Sequence, residues 1–376
     1  MIYLSFGDVY SGVYKSQVIE VCEYLSQLSG KPTRLIAFVP YPLVKDQKLK
    51  LKSKYAKTWV FPMLPAHLHL WKMFVPILAF ILLFVKSRKL ICRGTIACSI
   101  GLGVKRLRVI KKIVYDGRGA QKEEWKEYNV GGAQKIKNDI AVLEGKSVLR
   151  ADFRIAVSNK LLEYWEREFG CHRNEEVIIP CTLAKSFLKE IKTSETEIRY
   201  KYGFSESDIV LVYSGSTAGW QSFQLLNEWF EEILLNNSNV KILFLSKKQA
   251  VEKLSIYTKY HDRIVVDWLK PEDVYSVLSA CDYGVLYRED SVTNRVASPT
   301  KFAEYLASGL KVLISESVGD YSTLVSENEI GQIIRKETAC SLVKLNARDK
   351  KVLHNFAIQN FTKSSYEMEY LKLINL

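Results

Sequence analysis

Metal-binding patterns and paired cysteines are missing from this sequence. The chain of 376 residues contains five histidines and seven cysteines, and the cysteines form no C-x-x-C pair. An odd number of scattered cysteines argues against a disulfide framework and against a zinc module. We therefore expect buried free thiols in a reducing cytosol, with no metal site and no cofactor.

Long apolar runs are also missing. The longest extends from Met73 to Val85 and is interrupted by Pro76, so it falls short of the roughly 20 residues that a membrane-spanning helix needs. The start of the sequence shows no secretory leader. These two features together predict a cytoplasmic protein.

Acidic residues are almost absent from one part of the chain. Between Lys45 and Lys112 there are 16 lysines and arginines against a single acid, Asp46, although the net charge of the whole chain is only +13. This basic region surrounds the apolar run, a combination that suits the anionic inner face of a membrane. The alternative is a buried helix whose lysines only confer solubility. Nucleic acid is a weaker candidate partner, because the region has no recognisable nucleic-acid motif.

The remaining composition is that of a folded globular chain, with 48% hydrophobic and 25% charged residues. Short strand-like segments such as Ile2–Phe6 alternate with helical ones, such as residues 14 to 28, along both halves of the chain. This alternation predicts an α/β fold with parallel sheets covered on both faces. We place one domain at residues 1–184 and a second at 185–354.

The segment from Ser298 to Gly309 carries the strongest functional signal. Pro299 is expected at the first helical position, and a glycine follows the last apolar turn. The free N–H groups of such a helix start, with Thr300 and Lys301, form a site for phosphate. Glu304 would lie one turn deeper, where its carboxylate can accept hydrogen bonds from ribose hydroxyls. The pattern predicts a nucleotide diphosphate pocket, with an ordinary capped helix as the alternative.

Two further segments are expected at the same edge of the second sheet. Gly215, Ser216 and Thr217 follow a predicted strand at Ile209–Tyr213, where small residues let backbone N–H groups approach a diphosphate. Trp268 follows another strand and is a candidate contact for the nucleotide base. A simple turn and a core tryptophan are the respective alternatives.

The stretch from Val265 to Asp320 resembles the donor-binding motif of GT-B glycosyltransferases, especially retaining glycosyltransferase family four. The resemblance implies two Rossmann-like domains facing each other across a cleft, with a C-terminal helix (355–376) that packs back on the N-terminal domain. It also implies a retaining, metal-independent transfer of sugar from a nucleotide diphosphate donor.

The sequence departs from the family pattern at two places. Where the family has an arginine and a lysine that hold the donor phosphates, this chain has Ser216 and Gln221, so we expect Lys301 and Arg295 to take the cationic role. Of the two family glutamates, Glu304 matches the second, and Val296 occupies the position of the first. Asp290, in the loop after the preceding strand, is the candidate replacement for the sugar-facing carboxylate.

In the N-terminal half, Asp116 and Arg118 follow a strand, at the place where many family members present a histidine to the cleft. The resemblance implies that they contact sugar or phosphate; the alternative is an internal salt bridge. Gly12 lies in a loop that resembles the family's flexible first loop, which closes over the donor diphosphate.

These features predict a peripheral enzyme at the inner face of the cell membrane. The resemblance implies transfer of a sugar from a nucleotide sugar to a hydroxyl of a lipid-linked glycan, in bacterial-type surface polysaccharide or glycoconjugate synthesis. Two alternatives stay open at this point. One is a GT-B protein without transfer activity that serves as a binding subunit of a glycan assembly complex, and the other is a nucleotide-sugar epimerase on the same fold.

Overall fold

A computed structural model describes residues 1–63, 68–85, 87–129, 134–172, 174–191, 193–216, 219–335 and 340–376. The chain forms two compact units. The first comprises Met1–Ala184 with Lys363–Leu376, and the second comprises Lys185–Thr362.

The first unit is built on a parallel sheet of seven strands. The strands are β1 (Ile2–Phe6), β2 (Arg34–Pro40), β3 (Thr58–Met63), β4 (Lys89–Arg93), β5 (Lys112–Asp116), β6 (Phe153–Ala156) and β7 (Glu176–Ile178). They lie in the order β3-β2-β1-β4-β5-β6-β7. The helices are α1 (Gly12–Tyr14), α2 (Glu20–Ser29), α3 (Val44–Lys54), α4 (Phe74–Leu83), α5 (Gly94–Arg106), α6 (Gln121–Glu127), α7 (Gln134–Arg150) and α8 (Asn159–Phe169).

The second unit has a six-stranded parallel sheet. Its strands are β8 (Ile209–Ser214), β9 (Val240–Leu245), β10 (Ile264–Asp267), β11 (Tyr283–Leu286), β12 (Lys311–Ser315) and β13 (Gly331–Ile334), in the order β10-β9-β8-β11-β12-β13. Its helices are α9 (Glu195–Lys201), α10 (Phe223–Asn236), α11 (Lys248–Val251), α12 (Ser255–Lys259), α13 (Val274–Ser279), α14 (Val292–Arg295), α15 (Thr300–Ala307), α16 (Tyr321–Asn328) and α17 (Ala347–Phe361).

Both sheets have the character that the sequence predicts. Every strand pair described is parallel, and central strands such as β2 and β8 consist almost entirely of buried residues. Sheets of this kind are covered by helices on both faces, which explains their nearly continuous apolar sequence. The predicted α/β fold class is confirmed.

The helical regions at the two ends of the first unit differ from the prediction. The helix expected over residues 14–28 is divided into α1, a π-helical segment at Lys15–Ile19, and α2. The expected C-terminal helix is also divided, into α17 and α18 (Glu367–Asn375). Between them, Thr362 is extended and Lys363 lies 3.3 Å from the buried carboxylate of Glu20.

That ion pair explains where the chain returns to the first unit. The Lys363 ammonium also donates to the carbonyl of Leu183 at 3.0 Å, so the chain turns at this lysine to satisfy two acceptors of the first unit. The C-terminal segment was predicted to start at residue 355, but residues 355–362 belong to the second unit. They continue α17, which packs against α15.

Tyr305 fixes α15 against the second sheet. Its hydroxyl accepts a hydrogen bond from the backbone N–H of Ser214, at the end of β8, at 3.0 Å. Its ring lies directly over Gly284 of β11, where an added Cβ atom would lie 2.2 Å from the ring. The absence of a side chain at Gly284 therefore allows α15 to approach both strands.

Replacing Gly284 with alanine tests this packing. The added methyl group would force the ring away, and overpacking of this kind costs about 1–3 kcal/mol. We expect the thermal unfolding midpoint of Gly284→Ala to fall by several °C, at roughly 2–4 °C per kcal/mol. The matched control is Gly119→Ala, where the added Cβ would meet nothing within 4 Å. Equal midpoints for the two variants would contradict the packing argument.

Candidate functional site

The second sheet places its candidate site where the strand order reverses. β8 lies between β9 and β11. The chain runs from β8 through β9 to β10 at one edge of the sheet, and then crosses back to β11 on the other side of β8. In open parallel sheets, ligands bind outside the carboxyl ends of the strands at such a point. Gly215 follows β8, and Arg288 lies two residues after β11. Lys301 lies in the first turn of α15.

Lys301 is buried beside the Gly215 loop. Its ammonium group donates to the side-chain oxygen of Gln221 at 3.0 Å and lies 4.2 Å from the centre of the Tyr213 ring, a cation–π arrangement. Gly215 has a φ of +144°, and a Cβ atom added there would lie 2.5 Å from both Cε and Nζ of Lys301. Glycine is therefore required at this position by backbone conformation and by the space that the lysine occupies.

Arg288 provides a second buried cation at the same point. Its guanidinium donates to Gln221 Oε1 at 3.5 Å and to Asn294 Oδ1 at 3.2 Å. The Ser315 hydroxyl, at the end of β12, binds the backbone N–H and C=O of Arg288 at 2.6 and 2.7 Å. One amide oxygen, that of Gln221, thus accepts hydrogen bonds from two cations. We refer to Gln221, Arg288 and Lys301 as the cation cluster.

Within the cation cluster, Lys301 is in an electrostatically unbalanced position. Among the described residues, no carboxylate lies within ion-pair distance of the Lys301 ammonium. Burial and the neighbouring Arg288 charge lower the pKa of Lys301 well below its ordinary value. Glu304, one turn further along α15, is partly buried, and burial raises its pKa to about 7 against the opposing effect of Lys301. An anion bound at the cluster would relieve this imbalance.

The start of α15 lies one residue later than predicted. Thr300 is the first helical residue, and Pro299 is the N-cap, without a capping hydrogen bond from its side chain. Ser298 does not cap the helix; its hydroxyl is hydrogen-bonded to the Tyr321 hydroxyl at 2.7 Å. The first N–H groups of any helix lack intrahelical acceptors, so this start remains suited to an anion. A phosphate contact by Ser298, Pro299 or Thr300 stays a prediction.

Arg295 and Asp290 pair with each other instead of joining the cation cluster. Their side chains form a two-bond ion pair at 2.6 and 2.5 Å, with more than half of each side chain exposed. The Arg295 side chain lowers the pKa of Asp290, so the charges of the two residues are mutually balanced. Their predicted contacts with a donor stay predictions.

The remaining predicted residues of the second unit have varied surroundings. Trp268 is exposed after the edge strand β10, and its backbone N–H donates to the Asp267 carboxylate at 2.7 Å. The carbonyl of Ser216 accepts a hydrogen bond from the Tyr213 hydroxyl at 2.6 Å. Val296 is buried, and Thr217 lies outside the described residues. A base contact by Trp268 stays a prediction.

In the first unit, Asp116 is part of a buried charged network. It accepts hydrogen bonds from the Tyr3 hydroxyl and from Arg118 at 3.3 Å, and it lies 3.7 Å from Arg93. Arg118 also donates to Gln17 Oε1 at 3.2 Å. The internal salt bridge that the sequence left open as an alternative is therefore present. A contact of Asp116 or Arg118 with substrate stays a prediction.

Two other predicted features of the first unit can be placed. Gly12 begins α1, which is capped by the Ser11 side chain through the Tyr14 N–H, and Gly12 itself is exposed. Arg93 ends β4 and lies 3.6 Å from Asp8, and it is not among the residues predicted from the sequence. An arginine at the carboxyl end of a predicted strand is the signal that could have identified it.

Arg288 is the most important residue that the sequence analysis missed. It directly follows a predicted strand, and an arginine at the carboxyl end of a predicted strand is the signal that could have identified it. Gln221 was regarded only as the replacement of a family lysine, although its amide oxygen joins the two cations. The sequence could not show this, because residues 221, 288 and 301 come together only through the packing of β8, β11 and α15.

The raised pKa of Glu304 predicts a specific pH dependence of stability. The Glu304 carboxyl group has a pKa of about 7 in the folded protein and about 4.3 when unfolded. At low pH it is protonated in both states and imposes no penalty on the free energy of unfolding. The penalty grows as the pH rises through this window and is complete above it. Without nucleotide, Glu304→Gln should therefore match wild type near pH 4 and be more stable at pH 8, by about 1–3 kcal/mol.

Thermal unfolding measured between pH 4 and pH 8 checks this expectation. The control is Glu327→Gln, which removes the same charge from an exposed position on α16. The control should follow the wild-type profile. A Glu304→Gln profile parallel to that of wild type would contradict a raised Glu304 pKa.

Comparisons with known proteins identify the fold. No protein-family model and no curated protein matches the sequence. Sucrose-phosphate synthase from Thermosynechococcus elongatus matches the structure with a TM-score of 0.69 at 14% identity, covering 100% of this chain and 98% of that one. HepE from Anabaena in complex with UDP gives 0.68 at 11%, covering 100% and 99%. WaaG, a glycosyltransferase involved in lipopolysaccharide biosynthesis, gives 0.64 at 12%, covering 98% and 93%. With its two parallel α/β sheets, the chain therefore has the GT-B fold.

Proposed function

We propose that this protein is a glycosyltransferase that uses a nucleoside diphosphate sugar as donor. The observation that carries the proposal is the cation cluster. Two buried cations share one amide oxygen at the reversal point of the second sheet. They lie beside Gly215, whose missing side chain leaves room for the Lys301 ammonium. The GT-B fold supports the same assignment.

A diphosphate fits the cation cluster better than a neutral ligand does. An anion bound beside Lys301 would raise the lowered pKa of this lysine again, because an opposite charge favours the charged form. The planar guanidinium of Arg288 can hold two phosphate oxygens at once. Lys301 and Arg288 would then hold the donor phosphates. In the family that the sequence resembles, an arginine and a lysine at the positions of Ser216 and Gln221 have this role.

Glu304 suits the ribose of the same donor. It lies one helical turn beyond Lys301 on α15, and a carboxylate there can accept hydrogen bonds from two ribose hydroxyls. Its pKa of about 7 implies that part of the population is protonated at neutral pH in the free protein. Hydrogen bonds from the ribose would favour the ionised form, so donor binding and ionisation of Glu304 would be linked.

The proposed mechanism depends on electrostatic stabilisation of the leaving group. When the bond between sugar and diphosphate breaks, negative charge grows on the diphosphate. Lys301, Arg288 and the N–H groups at the start of α15 would already be oriented toward it, which lowers the barrier without reorganisation. These groups would supply the positive charge that a divalent ion supplies in other phosphate sites, so we propose a reaction without a metal cofactor.

The finer assignment concerns donor, acceptor and location. HepE was solved with UDP, which makes a uridine nucleotide the first donor to test. WaaG is involved in lipopolysaccharide biosynthesis, and together with the basic region at 45–112 this supports a lipid-linked glycan acceptor at an anionic membrane surface. Retention of the anomeric configuration rests on the resemblance to family four. Within the described ranges, no helix is both long and apolar enough to span a bilayer.

One observation favours a second candidate, a GT-B subunit that binds nucleotide sugars without transferring them. Val296 occupies the position of the sugar-facing glutamate of family four and is buried, so no carboxylate faces the sugar from that position. Release of free sugar or transfer to an acceptor distinguishes the two candidates. An enzyme should hydrolyse its donor slowly without acceptor, whereas a binding subunit should leave it intact.

Nucleotide affinity tests the cation cluster directly. Titration calorimetry with UDP, GDP, CDP, ADP and TDP should show one preferred base. Lys301→Gln and Arg288→Gln should each weaken binding of that nucleotide by about ten- to a hundredfold, since hydrogen bonds to charged groups contribute about 1.5–3 kcal/mol. Gly215→Ala should weaken it similarly, because the new methyl group would occupy the space of the Lys301 ammonium.

The matched control for the last variant is Gly203→Ala. Gly203 also has a positive φ, +70°, but an added Cβ there would meet nothing within 4 Å. It therefore adds a methyl group at a glycine with positive φ without creating a contact, and it should retain wild-type affinity. The proposal would have to be abandoned if wild type bound no nucleotide at millimolar concentration, or if all three site variants bound as well as Gly203→Ala.

A further inference from the structure

An apolar groove lies on the surface of the first unit, within the basic region from Lys45 to Lys112. It has a volume of about 400 Å³, within the roughly 300–1,000 Å³ typical of small-molecule sites. Its walls come from α3, from the strand β3 and from α4. The lining residues are Lys48, Lys52, Trp59, Val60, Phe61, Phe80, Ile81 and Phe84.

The fold explains why this groove is open. β3 is the last strand of its sheet, and its residues from Trp59 to Phe61 are only partly buried. Phe80 of α4 and Phe84, the residue after that helix, line the groove next to this strand and are 63% and 69% exposed. The two rings contact each other edge to face, with centroids 5.2 Å apart. Large apolar surfaces exposed together in this way mark binding sites.

The charge around the groove indicates which partner it suits. Lys48 and Lys52 are four residues apart on α3, so they project from the same face of that helix and both line the groove. The wider region from Lys45 to Lys112 has 16 basic residues and one acid. A ligand with an anionic head and an apolar chain matches both parts. A second copy of this chain does not, because the same excess of positive charge would face it.

We infer that the groove binds one hydrocarbon chain of an anionic lipid, with its phosphate headgroup on Lys48 and Lys52. This inference rests on the membrane attachment proposed above and adds a site for a single lipid molecule. The aromatic walls would cover the chain, and burying each methylene group contributes on its own to affinity. The two lysines would select phosphate-bearing lipids from uncharged ones.

Titration with a monomeric single-chain lipid tests the groove without a bilayer. The probe is dodecyl phosphate below its micelle concentration, with dodecyl maltoside as its uncharged counterpart. Wild type should bind dodecyl phosphate more tightly than the maltoside, with the negative heat-capacity change that apolar burial produces. The double variant Phe80→Ser/Phe84→Ser should lose about tenfold or more in affinity for both probes.

The chain offers matched controls for both parts of the site. Ile77 and Leu83 lie on the same helix and are 45% and 68% exposed, but they do not line the groove. Ile77→Ser/Leu83→Ser should keep wild-type affinity for both probes.

The lysine variants test the proposed headgroup contact in the same way, with control lysines on the same helix. Lys48→Gln/Lys52→Gln should lose the preference for phosphate over maltoside, whereas Lys45→Gln/Lys54→Gln, on the same helix outside the groove, should keep it. Loss of dodecyl phosphate binding that was equal in the groove variants and in their controls would overturn the inference.

Vesicles of equal parts phosphatidylcholine and phosphatidylglycerol separate this inference from the proposals on which it depends. If vesicles bind but monomeric dodecyl phosphate does not, attachment to membranes stands and the groove site is wrong. If neither binds, both are wrong. Nucleotide affinity should be unchanged in all the groove variants, so failure here leaves the proposed donor site standing.

Discussion

The burial of Lys301 is the constraint on which the second unit depends. A buried ammonium group must be compensated by polar contacts, and here Gln221 Oε1 and the face of Tyr213 provide them. Both contacts require α15 to lie close to the end of β8. Tyr305 holds the helix there through the Ser214 N–H. A charge that would otherwise destabilise the fold is thus held at the point where the strand order reverses, and an anion bound there would stabilise it.

The two sheets have the same strand order around their central strands, but the charged side chains near the reversal point differ. In the first unit, the ends of β4 and β5 hold Arg93 and Asp116, and Tyr3 and Arg118 complete a network in which acids and bases face each other. In the second, two bases converge on a neutral amide. The same topology therefore places opposite charges together in one unit and two basic side chains together in the other.

The sequence was sufficient for the fold class and for one of the two cations. Alternating strand and helix patterns predicted both parallel sheets, and the Ser298–Gly309 segment identified α15 and Lys301. Arg288 directly follows a predicted strand, but its contact with Gln221, 67 residues earlier, could not be predicted. The break before α18 was missed for the same reason, since Lys363 turns toward Glu20, 343 residues earlier. Contacts over such distances leave no local pattern.

The division of the first unit into two sequence segments determines the order in which the protein can be completed during synthesis. The second unit is continuous from Lys185 to Thr362, so it can fold as soon as it has left the ribosome. The first unit is made earlier, yet it lacks Lys363 and α18 until the residues after Thr362 have been synthesised. Throughout that interval the surface of α2 that Tyr370 contacts through Tyr24 is exposed, so the half made first stays incomplete until the second unit has been synthesised.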